Sequence, residues 1–132
     1  MKPGMNIGRQ ETIQINVTED MFASFEGHVV HPVYSTVAMV YHMEWVSRKI
    51  ILPFLEDHEE GMGAAVQIKH INAAPLHTQV TLTATLTEHH NEQVITTVEA
   101  RTERGLIGKG EVKQVILPKK IIQSKISSIE ST

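Results

Sequence analysis

No cysteine occurs in the 132 residues. A disulfide framework, a thiolate nucleophile and a cysteine zinc site are all excluded, and the lack of cysteine fits a reducing compartment. Long apolar runs are missing too. None approaches the roughly 18–20 residues that a helix needs to cross a bilayer, and the opening Met1-Lys2-Pro3-Gly4 leads into no apolar signal-peptide segment. The expected location is the cytoplasm, with no membrane partner. Basic charge is scarce: the net charge is −3 and the densest cationic spot is Lys119-Lys120. With no basic stripe to follow a phosphate backbone, nucleic acid is not an expected partner. Nor does the chain contain a P-loop, a GxGxxG after a strand, a GxSxG elbow or an HExxH pair.

What remains is an ordinary globular composition, 41% hydrophobic and 20% charged. A chain of this length makes one domain and removes roughly two-thirds of its extended surface from water, enough for a core without staples. Residues 11–17 alternate, with Ile13, Ile15 and Val17 on one face, as a strand does. Residues 24–34, with Gly27, His28, His31 and Pro32, read as a loop. Ser35 or Thr36 then offers an N-cap for a helix running to about Leu55. Its apolar residues cover much of the circumference, the pattern of a buried helix. Pro53 lies near its end, and Asp57 to Gly61 form an exit loop.

The remainder alternates strongly. Residues 64–72 set Ala64, Val66, Ile68, His70 and Asn72 on one face; residues 78–87 set Val80, Leu82, Ala84 and Leu86 opposite a row of threonines. Strands over 93–102 and 106–117 follow, separated by turns at His89 to Glu92 and at Arg104-Gly105. Pro118 ends the last strand because it cannot donate to a ladder. The expected architecture is α+β: an antiparallel sheet wrapped around one long helix and sharing a core with it. The domain spans residues 1–118, and 119–132 form a polar, Ser-rich tail expected to be partly disordered.

Three residues carry possible chemistry. Glu44 is the first charged residue after Glu26 and stands alone in an apolar helix. An unpaired buried carboxylate is costly enough to need a partner or a purpose; a wet helix edge with Arg48 at i+4 is the structural alternative. His70 shares a strand face with Val66 and Ile68, so it points toward the helix, either as a hydrogen-bonded core residue or as the imidazole of a carboxylate–imidazole pair. Thr36 is either a cap or a site hydroxyl. On a continuous helix it stands about 12 Å from Glu44 along the axis. A shared site therefore requires Thr36 to fold back or a second subunit to close it. The other histidines, His28, His31, His42, His58, His77, His89 and His90, show no metal spacing. Gly108-Lys109-Gly110 marks a bulge or a close approach within the last strand, not a phosphate site.

The run Thr36 to Trp45, ending in Met43-Glu44-Trp45, resembles the central helix of fluoroacetyl-CoA thioesterase-like hotdog proteins. The similarity continues through Gly61-Met62-Gly63, Val66 to His70 and Asn72-Ala73-Ala74-Pro75, and covers residues 2–117. The resemblance implies a hotdog fold that hydrolyses a small acyl-CoA, with no separate cofactor or metal because coenzyme A is part of the substrate. It also implies a catalytic Thr36, Glu44 and His70, and Gly63 beside the thioester carbonyl. Glu44 would be nucleophile or base, His70 the proton shuttle, and Thr36 the group that orients one of them. Edge-to-edge joining of sheets implies a homodimer. Two departures imply an acyl group other than fluoroacetyl: Gly27-His28-Val29-Val30 stands where the family has an aromatic lid, and Gln114 replaces a basic residue of the last strand. A non-catalytic acyl-CoA binding or sensing domain and an enoyl-thioester hydratase are the alternatives on the same scaffold.

Overall fold

The computed structural model describes residues 1–130. Strand β1 (Gln10–Asn16) leads into a hairpin of β2 (Phe22–Phe25) and β3 (His28–Tyr34), then helix α1 (Thr36–Ile51). Four long strands follow: β4 (Glu59–His70), β5 (Gln79–His90), β6 (Gln93–Thr102) and β7 (Gly105–Pro118). Helix α2 (Lys119–Glu130) closes the described chain. The five main strands form one antiparallel sheet in the order β1-β5-β6-β7-β4, and β2-β3 forms a separate pair. This is the expected α+β hotdog: a curved sheet around α1. No helix among the described residues is long and apolar enough to cross a membrane.

Alternation decides the core. Val80, Leu82, Ala84 and Leu86 of β5 are all sealed from solvent, as are Val94, Val98 and Ala100 of β6 to within a per cent, because side chains of period two line one face of a strand. Met39, Met43, Val46 and Ile50 of α1 pack onto that face. The helix lies close because glycines lie beneath it. A β-carbon built on Gly108 would collide with the Met39 side chain, and one on Gly110 would lie 2.9 Å from Met43 Sδ. The two glycines thus mark the close approach expected of them. Ser35, not Thr36, is the N-cap: its hydroxyl accepts from Ala38 N–H at 3.0 Å. At the other end the Arg9 guanidinium donates to the carbonyls of Ile50 and Lys49 at 3.0 and 3.3 Å, placing a cation where the helix dipole favours one.

Five expectations are corrected. Residues 24–34 are not simply a loop. Most of them form the β2-β3 hairpin, turned by Glu26 and Gly27 with φ of 52° and 80°, the positive pair that a two-residue hairpin turn demands. The helix stops at Ile51 and continues to Phe54 only as a 3₁₀ turn, since Pro53 has no N–H to extend the ladder. Strand β4 begins at Glu59, inside the expected exit loop, and ends at His70, so Asn72 lies beyond it. The tail over Lys119–Glu130 is helical, with Ile122, Ile126 and Ile129 at helical spacing; its last residues, Ser131 and Thr132, lie outside the described residues. Nor is α1 covered all round: Val37, Tyr41 and Trp45 form an exposed stripe.

The packing of helix on glycine is open to a direct test. A β-carbon on Gly110 would stand 2.6 Å from the backbone oxygen of Gln67, an atom held in the ladder that cannot rotate away. Gly110→Ala is expected to cost about 1–3 kcal/mol through overpacking, read as a lower urea midpoint with an unchanged slope.

Candidate active site

Each turn of α1 stands over one row of residues running across the sheet. The row under Met39 runs Leu82, Ala100, Gly108, His70; the row under Met43 runs Ala84, Val98, Gly110, Ile68. His70 therefore sits at the open edge of the sheet, on β4, level with the start of the helix. Its Nδ1 is 2.9 Å from the Thr36 hydroxyl. With Ser35 serving as cap, that hydroxyl is not needed by the helix backbone and is available to hold the imidazole.

Two turns further on, Glu44 overhangs Gly63, also on β4. A β-carbon at Gly63 would lie 2.9 Å from Glu44 Oε1, so only glycine lets the carboxylate come this close to the strand. The ladder is irregular here: pairing with β7 shifts between Gly63 and Ala65. Such bulges take a residue out of the ladder and are frequent beside active sites. Glu44 is exposed, as the wet-edge alternative expects, but Arg48 pairs with Glu60 at 2.9 Å and not with it. Glu44, Gly63, Trp45 and Gln114 line a cavity of about 270 Å³. Gln114 is held at its floor, donating to the Ser47 carbonyl at 3.0 Å, while Thr96 donates to the Ser47 hydroxyl at 2.7 Å. A roomier depression of about 600 Å³ around His77, Arg101 and Glu103 includes none of these residues.

The four predicted residues thus fall into two pairs, Thr36 with His70 and Glu44 with Gly63. The two pairs do not meet within one chain. Eight helical residues separate Thr36 from Glu44, about 12 Å along the axis, and seven strand residues separate Gly63 from His70, about 23 Å when extended. Both pairs lie along the same edge strand and on the same side of it.

Sequence reasoning missed Tyr34 and His42. Both are buried, and the Tyr34 hydroxyl stands 2.6 Å from His42 Nδ1 with the rings stacked at 5.7 Å. Tyr34 also meets the His70 ring edge-on at 6.3 Å. Burial raises the Tyr34 pKa and lowers that of His42, so both groups are neutral at pH 7. The arrangement that leaves no hydroxyl hydrogen unpaired in the core has Tyr34 O–H donating to Nδ1, with the imidazole proton on Nε2. The available signal was placement: His42 shares the apolar side of the helix with Met39, Met43 and Val46. Among the described residues, no three His, Asp or Glu side chains are grouped to hold a metal ion.

Comparison with known proteins places the chain among thioesterases. Over 132 aligned residues the chain is 26% identical to the fluoroacetyl-CoA thioesterase of Streptantibioticus cattleyicolor, covering 96% of this chain and 95% of that one. It superimposes with a TM-score of 0.94 on a Thermus thermophilus hypothetical protein, a thioesterase superfamily member, at 39% identity over 98% and 96% of the two chains. A phenylalanine-to-alanine mutant of the fluoroacetyl-CoA-specific thioesterase, solved with fluoroacetate and CoA, matches with a TM-score of 0.83 at 26% identity, over 89% of this chain and 99% of the other. The family model described as FlK, fluoroacetyl-CoA-specific thioesterase, matches residues 17–120, and the chain belongs to that family of thioesterases.

Proposed function

We propose that this acyl-CoA thioesterase cleaves a small acyl-coenzyme A to the free acid and coenzyme A at a site shared by two copies of the chain, using Thr36, Glu44, His70 and the backbone at Gly63. One observation carries the reading: the two residue pairs are separated within one chain but lie on a single edge strand, β4, whose outer side is unpaired. Antiparallel pairing of two β4 strands about a dyad at Gln67 would set each Gly63 opposite the partner's His70, the bulge between Gly63 and Ala65 absorbing one residue. Each Thr36–His70 pair would then meet the partner's Glu44 and Gly63. The same pairing would cover the unsatisfied edge and bring partner surface over Val37, Tyr41 and Trp45. A homodimer follows from this reading. The relative solved with fluoroacetate and CoA supports a coenzyme A thioester as substrate.

The chemistry then divides between the two pairs. The carboxylate of Glu44 either takes the proton of the attacking water or attacks the carbonyl carbon itself. Backbone N–H groups at the β4 bulge stabilise the developing oxyanion, a contribution that requires donors fixed in advance. When the carbon–sulfur bond breaks, His70, steadied at Nδ1 by Thr36, gives its proton to the departing sulfur. On the water route, the proton taken by Glu44 returns to His70 once the acid leaves; on the covalent route, the Glu44 anhydride left by C–S cleavage is broken by a water whose proton goes to His70, which frees the acid and restores both residues.

Steady-state kinetics check the roles. Glu44→Gln and His70→Ala should each lower kcat by about 10²–10⁴-fold, with Thr36→Ala costing less because its hydroxyl acts through His70. A Glu44→Gln protein that keeps near wild-type turnover would remove Glu44 from the mechanism. Mixing tests the sharing. When Glu44→Gln and His70→Ala subunits are unfolded and refolded together, half of the dimers are mixed and each carries one intact site. About a quarter of wild-type activity should return if sites span the two-fold. Activity no higher than that of the separate variants would mean that each chain completes its own site.

A further inference from the structure

Between the β2-β3 hairpin and the first turns of α1 runs a groove of about 800 Å³. Phe22, Phe25 and Val37 supply apolar wall, Thr36 borders it, and Tyr41 borders both this groove and the Glu44 cavity. The groove is thus continuous with the proposed site, and its volume is that of a pocket for a molecule much larger than an acetyl group.

One polar group in this wall is fixed in place. His42 lines the groove, its Nδ1 is occupied by the Tyr34 hydroxyl, and its ring is held between Tyr34, stacked at 5.7 Å, and Tyr41, edge-on at 5.5 Å. Nε2 is the ring's remaining polar atom. Among the described residues no side-chain nitrogen or oxygen is sealed from solvent without a partner, so this N–H is not sealed, and the groove is the cavity that His42 lines.

We propose that the groove receives the acyl portion of the substrate and that His42 Nε2–H selects acyl chains carrying a neutral oxygen acceptor, a hydroxyl or carbonyl, well beyond the thioester carbon. The inference rests on the site reading above. Thr36 and His42 are six residues apart, about 9 Å along the helix, which assigns the acceptor to the far end of a chain of about six carbons. Burial holds the imidazole pKa down and the ring uncharged, so a neutral oxygen matches it better than a carboxylate does. A methyl-ended chain would strip water from the N–H and return no hydrogen bond, which is how a polar wall group rejects an apolar analogue. Without His42 the remaining apolar wall would prefer the methyl.

The test compares kcat/KM for hexanoyl-CoA and omega-hydroxyhexanoyl-CoA. The wild-type protein should favour the hydroxylated chain at least about ten-fold. Tyr34→Phe, which frees the His42 ring, should reduce that preference. The double variant Tyr34→Phe/His42→Leu, which leaves neither polar partner stranded, should abolish or reverse it. Equal rates in the wild type, or a preference that survives the double variant, overturns the role of His42 while leaving the thioesterase site intact. Cleavage of acetyl-CoA with neither hexanoyl chain accepted does the same. Failure to cleave any acyl-CoA overturns the site reading and this inference together.

Discussion

The close approach of α1 to the β4-β7 end of the sheet is the constraint on which the rest of the molecule depends. Side chains normally hold a helix and a sheet apart; here Gly61, Gly63, Gly108 and Gly110 leave the sheet bare in four places. Ile51 fills the space over Gly61, Glu44 that over Gly63, Met39 that over Gly108 and Met43 that over Gly110. Three of these contacts are apolar packing. The fourth brings a carboxylate against a strand at a bulge, where the ladder no longer claims every backbone group. The arrangement that closes the core therefore also sets Glu44 in its place.

Among the described residues, no polar side-chain atom sealed inside by this packing lacks a partner. Ser47 faces the sheet where glycine is absent and is met by Thr96 and Gln114. The Tyr34 hydroxyl and His42 Nδ1 satisfy one another at the helix start. Each match has a directional consequence: Gln114 is held at the floor of the Glu44 cavity, and the Tyr34 ring is fixed where its edge meets His70. Hydrogen bonds in a dry interior are modest in net stability, but a missing partner is expensive, so such pairs hold orientation more than they add free energy. That is the property the proposed role of His70 would need from its neighbours.

The edge position of β4 gives the fold its functional polarity. One border of the sheet, β1, carries neither of the residue pairs; the other carries both, beside the exposed stripe of Val37, Tyr41 and Trp45. On the proposed reading, a second copy of the chain would both pair this strand and cover the apolar stripe.

Much of this was legible in residue order. The alternation of Val80, Leu82, Ala84 and Leu86 determines a half-buried strand because side chains of period two share a face, and the isolation of Glu44 among apolar residues marks a carboxylate that needs a reason. The hairpin at Phe22–Tyr34 was not legible, because Gly27, His31 and Pro32 are the residues of a loop and nearly all of its side chains remain outside the core. Helix α2 was hidden by serines that composition assigns to a tail, although its isoleucines recur at helical spacing. The sequence by itself determined an α+β sheet-and-helix domain and nominated Thr36, Glu44, Gly63 and His70. Tertiary structure alone decided that these form two pairs and not one cluster, and that Tyr34 reaches His42. Such meetings depend on how far a helix advances across a sheet, about 1.5 Å per residue against 3.3 Å along the strand, and that mismatch is invisible until the two elements are laid on one another.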